Sequence, residues 1–321
     1  MSNRLSILSR LVKLRVLIAR LLFLLPCLLL PGRALGQDDG ARLYMMVPDK
    51  TTIASVRLHS MHSNLAVDPG SVAEGDHLDT TLAVFQFVQT LKIAGGQSSM
   101  FLVVPASRIE PDIAQPGSAM SGSVSGLGDA QLGFVLGVSG TPALSPEAYT
   151  KHKPGLAMNL LAKIFFPTGQ YDSARSINVG ANRWALRLGV PIVYAIGDTM
   201  TDPQLTTIEL MPTVTFFGTN SEPMGADVTK QDPLFIMEGH LTRGLTSKFW
   251  ASLDMLWREG GEVKIDGVGV GNSQRALSLG ATGTLAINKN SSLRMSYGKV
   301  VERNRHGPDG WIIRTIIGFT F

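Results

Sequence analysis

The amino-acid sequence predicts an all-β fold, a transmembrane antiparallel β-barrel of about 12 strands. Three features lead there. Apolar residues recur with period two in many short segments, the signature of strands. No run after residue 36 approaches the ~18 apolar residues of a helical span, and the best, Leu188 to Gly197, is interrupted by Pro191. Short and long connections alternate, as in barrels with tight turns on the periplasmic side of the membrane and loops outside.

The N-terminus has its own logic. Arg4, Arg10, Lys13, Arg15 and Arg20 precede an apolar run from Leu21 to Leu30, and the small residues Ala34 and Gly36 stand before Gln37. Charged region, apolar run and small residues make a cleaved signal peptide over 1–36, since the run is too short to cross a ~30 Å hydrocarbon core. Residues 37–50 follow as a short periplasmic segment, and 51–321 as the barrel. Of the 29 basic residues, six lie in 1–36 beside no acidic one, leaving 23 against 25 acidic. The basic whole-chain charge thus belongs to the export signal and implies no nucleic-acid partner. The single cysteine, Cys27, lies in the signal as well, preceded by Pro26, a poor context for lipidation. The exported chain then has no disulfide framework and no thiolate metal site.

The strands fall near 51–65, 78–91, 98–109, 126–139, 155–166, 184–196, 206–217, 234–245, 249–259, 274–287, 293–301 and 311–321. Each has roughly the 9–11 residues a tilted strand needs to cross a membrane. In the ninth, Phe249, Ala251, Leu253, Met255 and Trp257 face one way, and Ser252, Asp254 and Arg258 the other. Leu156, Leu160 and Ile164 oppose Lys163 in the fifth, Leu186, Leu188 and Tyr194 oppose Arg187 in the sixth, and Ile313, Ile317 and Phe319 oppose Arg314 in the last. The first strand is irregular, with Arg57 and His59 in it, and the second shifts phase between Val84 and Phe87, as a bulge would cause.

Among the connections, 95–97, 197–205, 244–248 and 288–292 are short, while 67–77, 110–125, 167–183, 218–233, 260–273 and 302–310 are long. The exception, 140–154, should be periplasmic yet is long; Ser145-Pro146-Glu147 is a capped helix start there, placing a short helix across the barrel mouth. The competing fold is a soluble β-sandwich. Charges opposite the apolar faces, and a strand that runs to the terminal Phe321, favour a barrel with apolar residues outside and polar ones within.

Gly126-Leu127-Gly128-Asp129-Ala130-Gln131-Leu132-Gly133 and Phe166-Pro167-Thr168-Gly169-Gln170-Tyr171-Asp172 carry a family resemblance, extended by Asn178-Val179-Gly180-Ala181-Asn182-Arg183-Trp184. In these motifs the chain resembles the outer-membrane family labelled "putative meta-pathway of phenol degradation", over roughly residues 50 to 321. The resemblance implies a transporter-like β-barrel encoded near pathways for aromatic compounds, without a defined substrate. Phe321 also resembles the C-terminal signal read by the barrel-assembly machinery. Physically, Gly126, Gly128, Gly133, Pro167, Thr168, Gly169, Tyr171, Asp172, Asn178, Gly180, Asn182 and Trp184 read as loop architecture, with Phe166, Tyr171 and Trp184 in an aromatic girdle.

The candidate functional residues are the charges and polar groups expected in the lumen: Asp129, Gln131, Lys163, Arg187, Glu209, Glu238, His240, Asp254, Arg258, Arg294 and Arg314. They either pair across strands to fill the interior or line a narrow pore. Twelve strands enclose less than the 16–18 of open porins, so partial filling is expected. An enzyme is the rival class, through Ser60, His62 and Asn64. Residues two apart on a strand lie ~6–7 Å apart, beyond the ~3 Å of a nucleophile–base bond, so no catalytic residue is assigned. No metal or cofactor motif occurs, and Gly267-Val268-Gly269-Val270-Gly271, with no helix after it to receive phosphate, reads as a mobile outer loop. The expected function is an outer-membrane channel for small, aromatic or apolar molecules, surrounded by outer-membrane lipid; a barrel hydrolase or a purely structural barrel is the alternative.

Overall fold

The computed structural model describes residues 39–64, 77–111 and 122–321; the expected signal peptide and parts of the first two long loops lie outside them. Twelve antiparallel strands close into a barrel. They are β1 (Thr52–Ser63), β2 (Leu78–Ile93), β3 (Gly96–Pro111), β4 in two pieces (Val124–Leu127 and Gln131–Ser139), β5 (Leu156–Phe165) and β6 in two pieces (Ala185–Gly189 and Ile192–Ile196). After them come β7 (Thr206–Phe217), β8 (Leu234–Gly244), β9 (Phe249–Gly260), β10 (Gln274–Ala286), β11 (Ser291–Arg303) and β12 (Gly310–Thr320). Each pairs with its sequence neighbours, and β12 returns to β1 from Ile53↔Thr320 to Ser63↔Gly310. The seam runs to the last residue: the Phe321 N–H donates to the Thr52 carbonyl at 2.8 Å. Closure leaves no unpaired edge, which a sheet in hydrocarbon requires.

Burial is inverted relative to a water-soluble domain. Leu58, Phe85, Leu102, Leu160, Leu188, Ile208, Leu253 and Ile313 are exposed on the outer face, while Thr207, Thr215, Glu238, Thr242, Ser252 and Asp254 are buried inside. A sandwich has the opposite arrangement. Two strand interruptions follow from local chemistry. At Val190-Pro191 the proline has no N–H for the ladder, and its carbonyl instead accepts from Asn159 N at 2.9 Å. At Gly128–Ala130 the backbone leaves the sheet opposite Pro105, whose carbonyl takes the Gly128 N–H at 2.9 Å.

Two local expectations change and a third holds. The β2–β3 register is continuous from Leu78↔Pro111 to Ile93↔Gly96, so there is no bulge between Val84 and Phe87. Val84 is buried facing inward and Phe87 is exposed facing outward; an apolar residue on the lumen side imitates a phase shift. Residues 263–269 form a hairpin rather than a loose loop, because Asp266 (φ 49°) and Gly267 (φ 85°) supply the two positive φ values of a tight turn. That hairpin pairs with Thr229–Gln231 from the preceding long loop. The helix after β4 does form: α1 spans Pro146–Lys151, with the Ser145 hydroxyl accepting from Ala148 N at 3.2 Å.

Gly133 shows how the wall makes room inside. A Cβ there would stand 1.9 Å from the Phe101 ring, which lies buried on the lumen face. Gly133→Val is expected to destabilise the barrel by about 1–3 kcal/mol through overpacking. Urea unfolding followed by heat-dependent gel mobility reads this, and Phe101→Ala in the same chain should restore stability; no loss in the single variant would contradict the packing.

Candidate functional site

The lumen carries the polar chemistry, and its strands leave that chemistry incomplete. Lys163 on β5 stands directly opposite Arg187 on β6, an arrangement of like charges that destabilises a sheet unless an anion joins it. Both are buried. On the strands that follow, Glu209 of β7, Glu238 and His240 of β8 and Asp254 of β9 cluster: His240 Nδ1 lies 2.6 Å from Asp254 Oδ1, and Nε2 lies 3.2 Å from Glu238 Oε1. Two carboxylates share one histidine. Asp254 also accepts from Ser252 Oγ and Thr282 Oγ1, at 2.7 and 2.8 Å.

The chain preceding β1 completes both groups. Asp39 accepts from Lys163 Nζ at 2.9 Å and from the Tyr44 hydroxyl at 2.9 Å. The Asp39 and Gly40 N–H groups donate to the two oxygens of Glu238 at 3.0 and 2.9 Å, and Arg42 N donates to Glu209 at 2.8 Å. The Arg42 guanidinium donates to Thr242 Oγ1 and the Leu205 carbonyl, and lies 4.7 Å from the Trp250 ring centre. Arg294 takes a second place on the same indole at 5.0 Å and donates to the Ala41 carbonyl at 2.8 Å. Nearer β1, Tyr149 of α1 donates to the Met46 carbonyl at 3.1 Å. Within the 37–50 segment read from the sequence as periplasmic, residues 39–44 run against the lumen-facing side chains, which take its N–H groups and the Asp39 carboxylate.

One side of the lumen is apolar. Val84, Phe101, Val103, Val135, Leu161 and Met211 form a buried cluster with Tyr44 packed against it. Phe165, also buried, lies 5.9 Å from Lys163 Nζ and 5.7 Å from the Arg187 guanidinium, so the cations sit between the aromatic ring and Asp39.

Of the residues read as lumenal, Lys163, Arg187, Glu209, Glu238, His240, Asp254, Arg258 and Arg314 are buried inside the barrel, and Arg294 and Gln131 are half-buried on its inner face. Asp129 is the exception. It sits in the break of β4, where strand alternation no longer dictates direction, and its carboxylate accepts from Gly169 N and Ala181 N, both at 2.8 Å. The two sequence motifs thereby meet: Gln170 N donates to the Leu127 carbonyl, Ala130 N to Thr168 Oγ1, and Gly180 N to the Gln170 carbonyl. Gly169 and Gly180 touch so closely that a Cβ on either would fall within 2.6 Å of the other's backbone. Asn178 bridges Asp172 and Arg175, and Asn182 donates to Asn220. Phe166 and Trp184 pair edge to face at 5.2 Å at the strand ends, whereas Tyr171 leaves the expected girdle and binds the next loop through the Glu222 carbonyl.

Ser60, His62 and Asn64 form no relay. Ser60 is exposed, His62 bonds Asp79 at 2.8 Å, and Asn64 accepts from Asp309 N at 2.6 Å. Sequence reasoning missed Asp39, Arg42 and Tyr44, because no periodicity describes a segment outside the sheet. It also missed the lumenal Phe101 and Leu161, although alternation places each opposite an outward neighbour.

Asp129→Asn keeps one anionic acceptor fewer and is expected to loosen the 167–183 loop by about 1–3 kcal/mol. Limited trypsin digestion should cleave faster at the exposed Arg175 while the barrel stays folded; unchanged cleavage would refute the clamp.

An outer membrane channel from Pseudomonas putida F1 shares this fold, with a TM-score of 0.73 and 17% identity, covering 89% of this chain and 100% of that one. Less similar are the translocator domain of the autotransporter NalP from Neisseria meningitidis (TM-score 0.47, 10% identity, 87% and 91% covered) and the toluene transporter TodX from Pseudomonas putida (0.42, 10%, 90% and 95%). No curated protein sequence matches significantly. The family described as "Putative MetA-pathway of phenol degradation" matches residues 63–314, across both loop motifs and the lumenal charges carried by the strands from Lys163 to Arg314, and the chain belongs to that family.

Proposed function

We propose that this barrel is an outer-membrane channel for small apolar or aromatic molecules, exported with a signal peptide cleaved before Gln37, inserted by the barrel-assembly machinery through Phe321 and embedded in outer-membrane lipid. The observation that carries the reading is the two-sided lumen. A wall of Val84, Phe101, Val103, Val135 and Leu161 offers apolar contact, facing carboxylates and cations already matched by the N-terminal segment. Ions and sugars need exposed polar groups to replace their hydration, and here those groups are engaged. An apolar molecule needs only surface and room. The family's association with phenol degradation agrees with such a cargo. In this arrangement residues 39–44 obstruct the lumen, and passage requires the segment to shift.

Asp39→Asn combined with Arg42→Ala removes the anion facing Lys163 and the cation on Trp250. In planar bilayers the double variant is expected to conduct several times more often than the native chain, and toluene entry into liposomes should accelerate. A silent trace and unaltered entry from a barrel with intact strand circular dichroism would overturn the channel. We assign no hydrolase activity: Ser60→Ala and His62→Ala should leave lipid and ester hydrolysis at background, and a loss of measurable activity in either would reinstate an enzyme.

A further inference from the structure

At the short-turn end of the barrel the inward positions become small. Higher on β5 and β6 they are Asn159, Lys163 and Arg187, while at this end they are Ala157, Val193 and Ala195, all buried. The space they leave is a pocket of about 200 Å³, bordered by Met45 and Met46 of the N-terminal segment and Met200 of the β6–β7 turn and open to solvent beside Lys153 and Gly155. Met200 N donates to the His152 carbonyl at 3.0 Å, tying that turn to the stretch after α1. His152 and Lys153 are the only lining residues with ionisable side chains, and Lys153 is exposed to solvent.

We propose that this cavity is a binding site for a single-ring aromatic hydrocarbon, a holding position at the short-turn mouth. The channel reading bears only on how the ligand arrives. Volume bounds the class: an apolar cavity of about 150 Å³ accepts benzene, so a pocket of about 200 Å³ has room for one substituted ring. Chemistry sets the preference for an aromatic over a linear chain. Thioether sulfurs make favourable contacts with ring edges at ~5 Å, and unbranched methionines adapt to rings with different small substituents. Met46 and Met200 are both buried, so the site exists already shaped. It is separate from the Lys163–Asp39 and Glu238–His240 groups, and none of its walls belongs to the Phe101 cluster.

The test uses the full chain in lipid nanodiscs with carbon-13 methionine methyls, assigned by single Met→Leu variants and titrated with toluene, with naphthalene as the size control. Saturable shifts at Met45, Met46 and Met200 are expected with toluene and not with naphthalene. Ala195→Phe places a ring in the cavity itself and is expected to weaken toluene binding at least about tenfold. If Ala195→Phe does not give a heat-modifiable barrel, Ala157→Leu makes the same comparison. Shifts that grow linearly with toluene without saturating, or saturation that both filled variants leave unchanged, overturn the site. Toluene entry into liposomes, measured on the native chain, tests the channel separately: absent entry with saturable methyl shifts rejects the channel and keeps the site.

Discussion

Charge pairing across a closed lumen governs this structure. Once strand alternation turns Lys163, Arg187, Glu209, Glu238 and Asp254 inward, each is held away from bulk water, where breaking a buried pair costs about 3–5 kcal/mol. The wall sets like charges beside each other, because Lys163 faces Arg187, and Glu238 and Asp254 share one imidazole. Residues 39–42 supply the missing partners: one carboxylate for the cations, three backbone N–H groups for two of the carboxylates. The position of the segment is therefore a consequence of the wall's charge pattern.

That arrangement also explains why the interior is not uniformly polar. Valine, leucine and phenylalanine form an apolar patch among the lumen positions of β2 to β5, with Gly133 making room for the Phe101 ring. The polar and apolar halves meet at Tyr44, whose ring packs on the cluster while its hydroxyl holds Asp39. The segment thus touches both halves, and any movement of it changes both at once. At the other end of the barrel, the family motifs perform a different task. Asp129 draws the two ends of the 167–183 loop together on backbone N–H groups, so the glycines there serve a close approach of chain to chain and not a ligand.

Most of the architecture was legible because a membrane barrel writes itself into the sequence locally. Alternation in Phe249–Arg258 or Leu156–Phe165 states which residues face lipid, and the turn-rich gaps state where strands end. The misreadings share one cause. Val84 is apolar and lumenal, Asp129 lies in a strand break, and Asp39 precedes the sheet altogether. In each case period-two alternation gives no guide, because local chain geometry or a distant partner sets the environment.

By itself the sequence determined the all-β class, the strand positions, the inverted faces and the inward direction of most of the charges, because each depends only on period-two geometry and near neighbours. Only the tertiary structure decided that residues 39–44 run against the lumenal charges, that the two glycine-rich motifs close on Asp129, and that small side chains leave a methionine-lined pocket at one mouth. Those outcomes depend on contacts between groups up to 253 positions apart, as in Ala41 with Arg294, and only barrel closure brings such groups within hydrogen-bond reach.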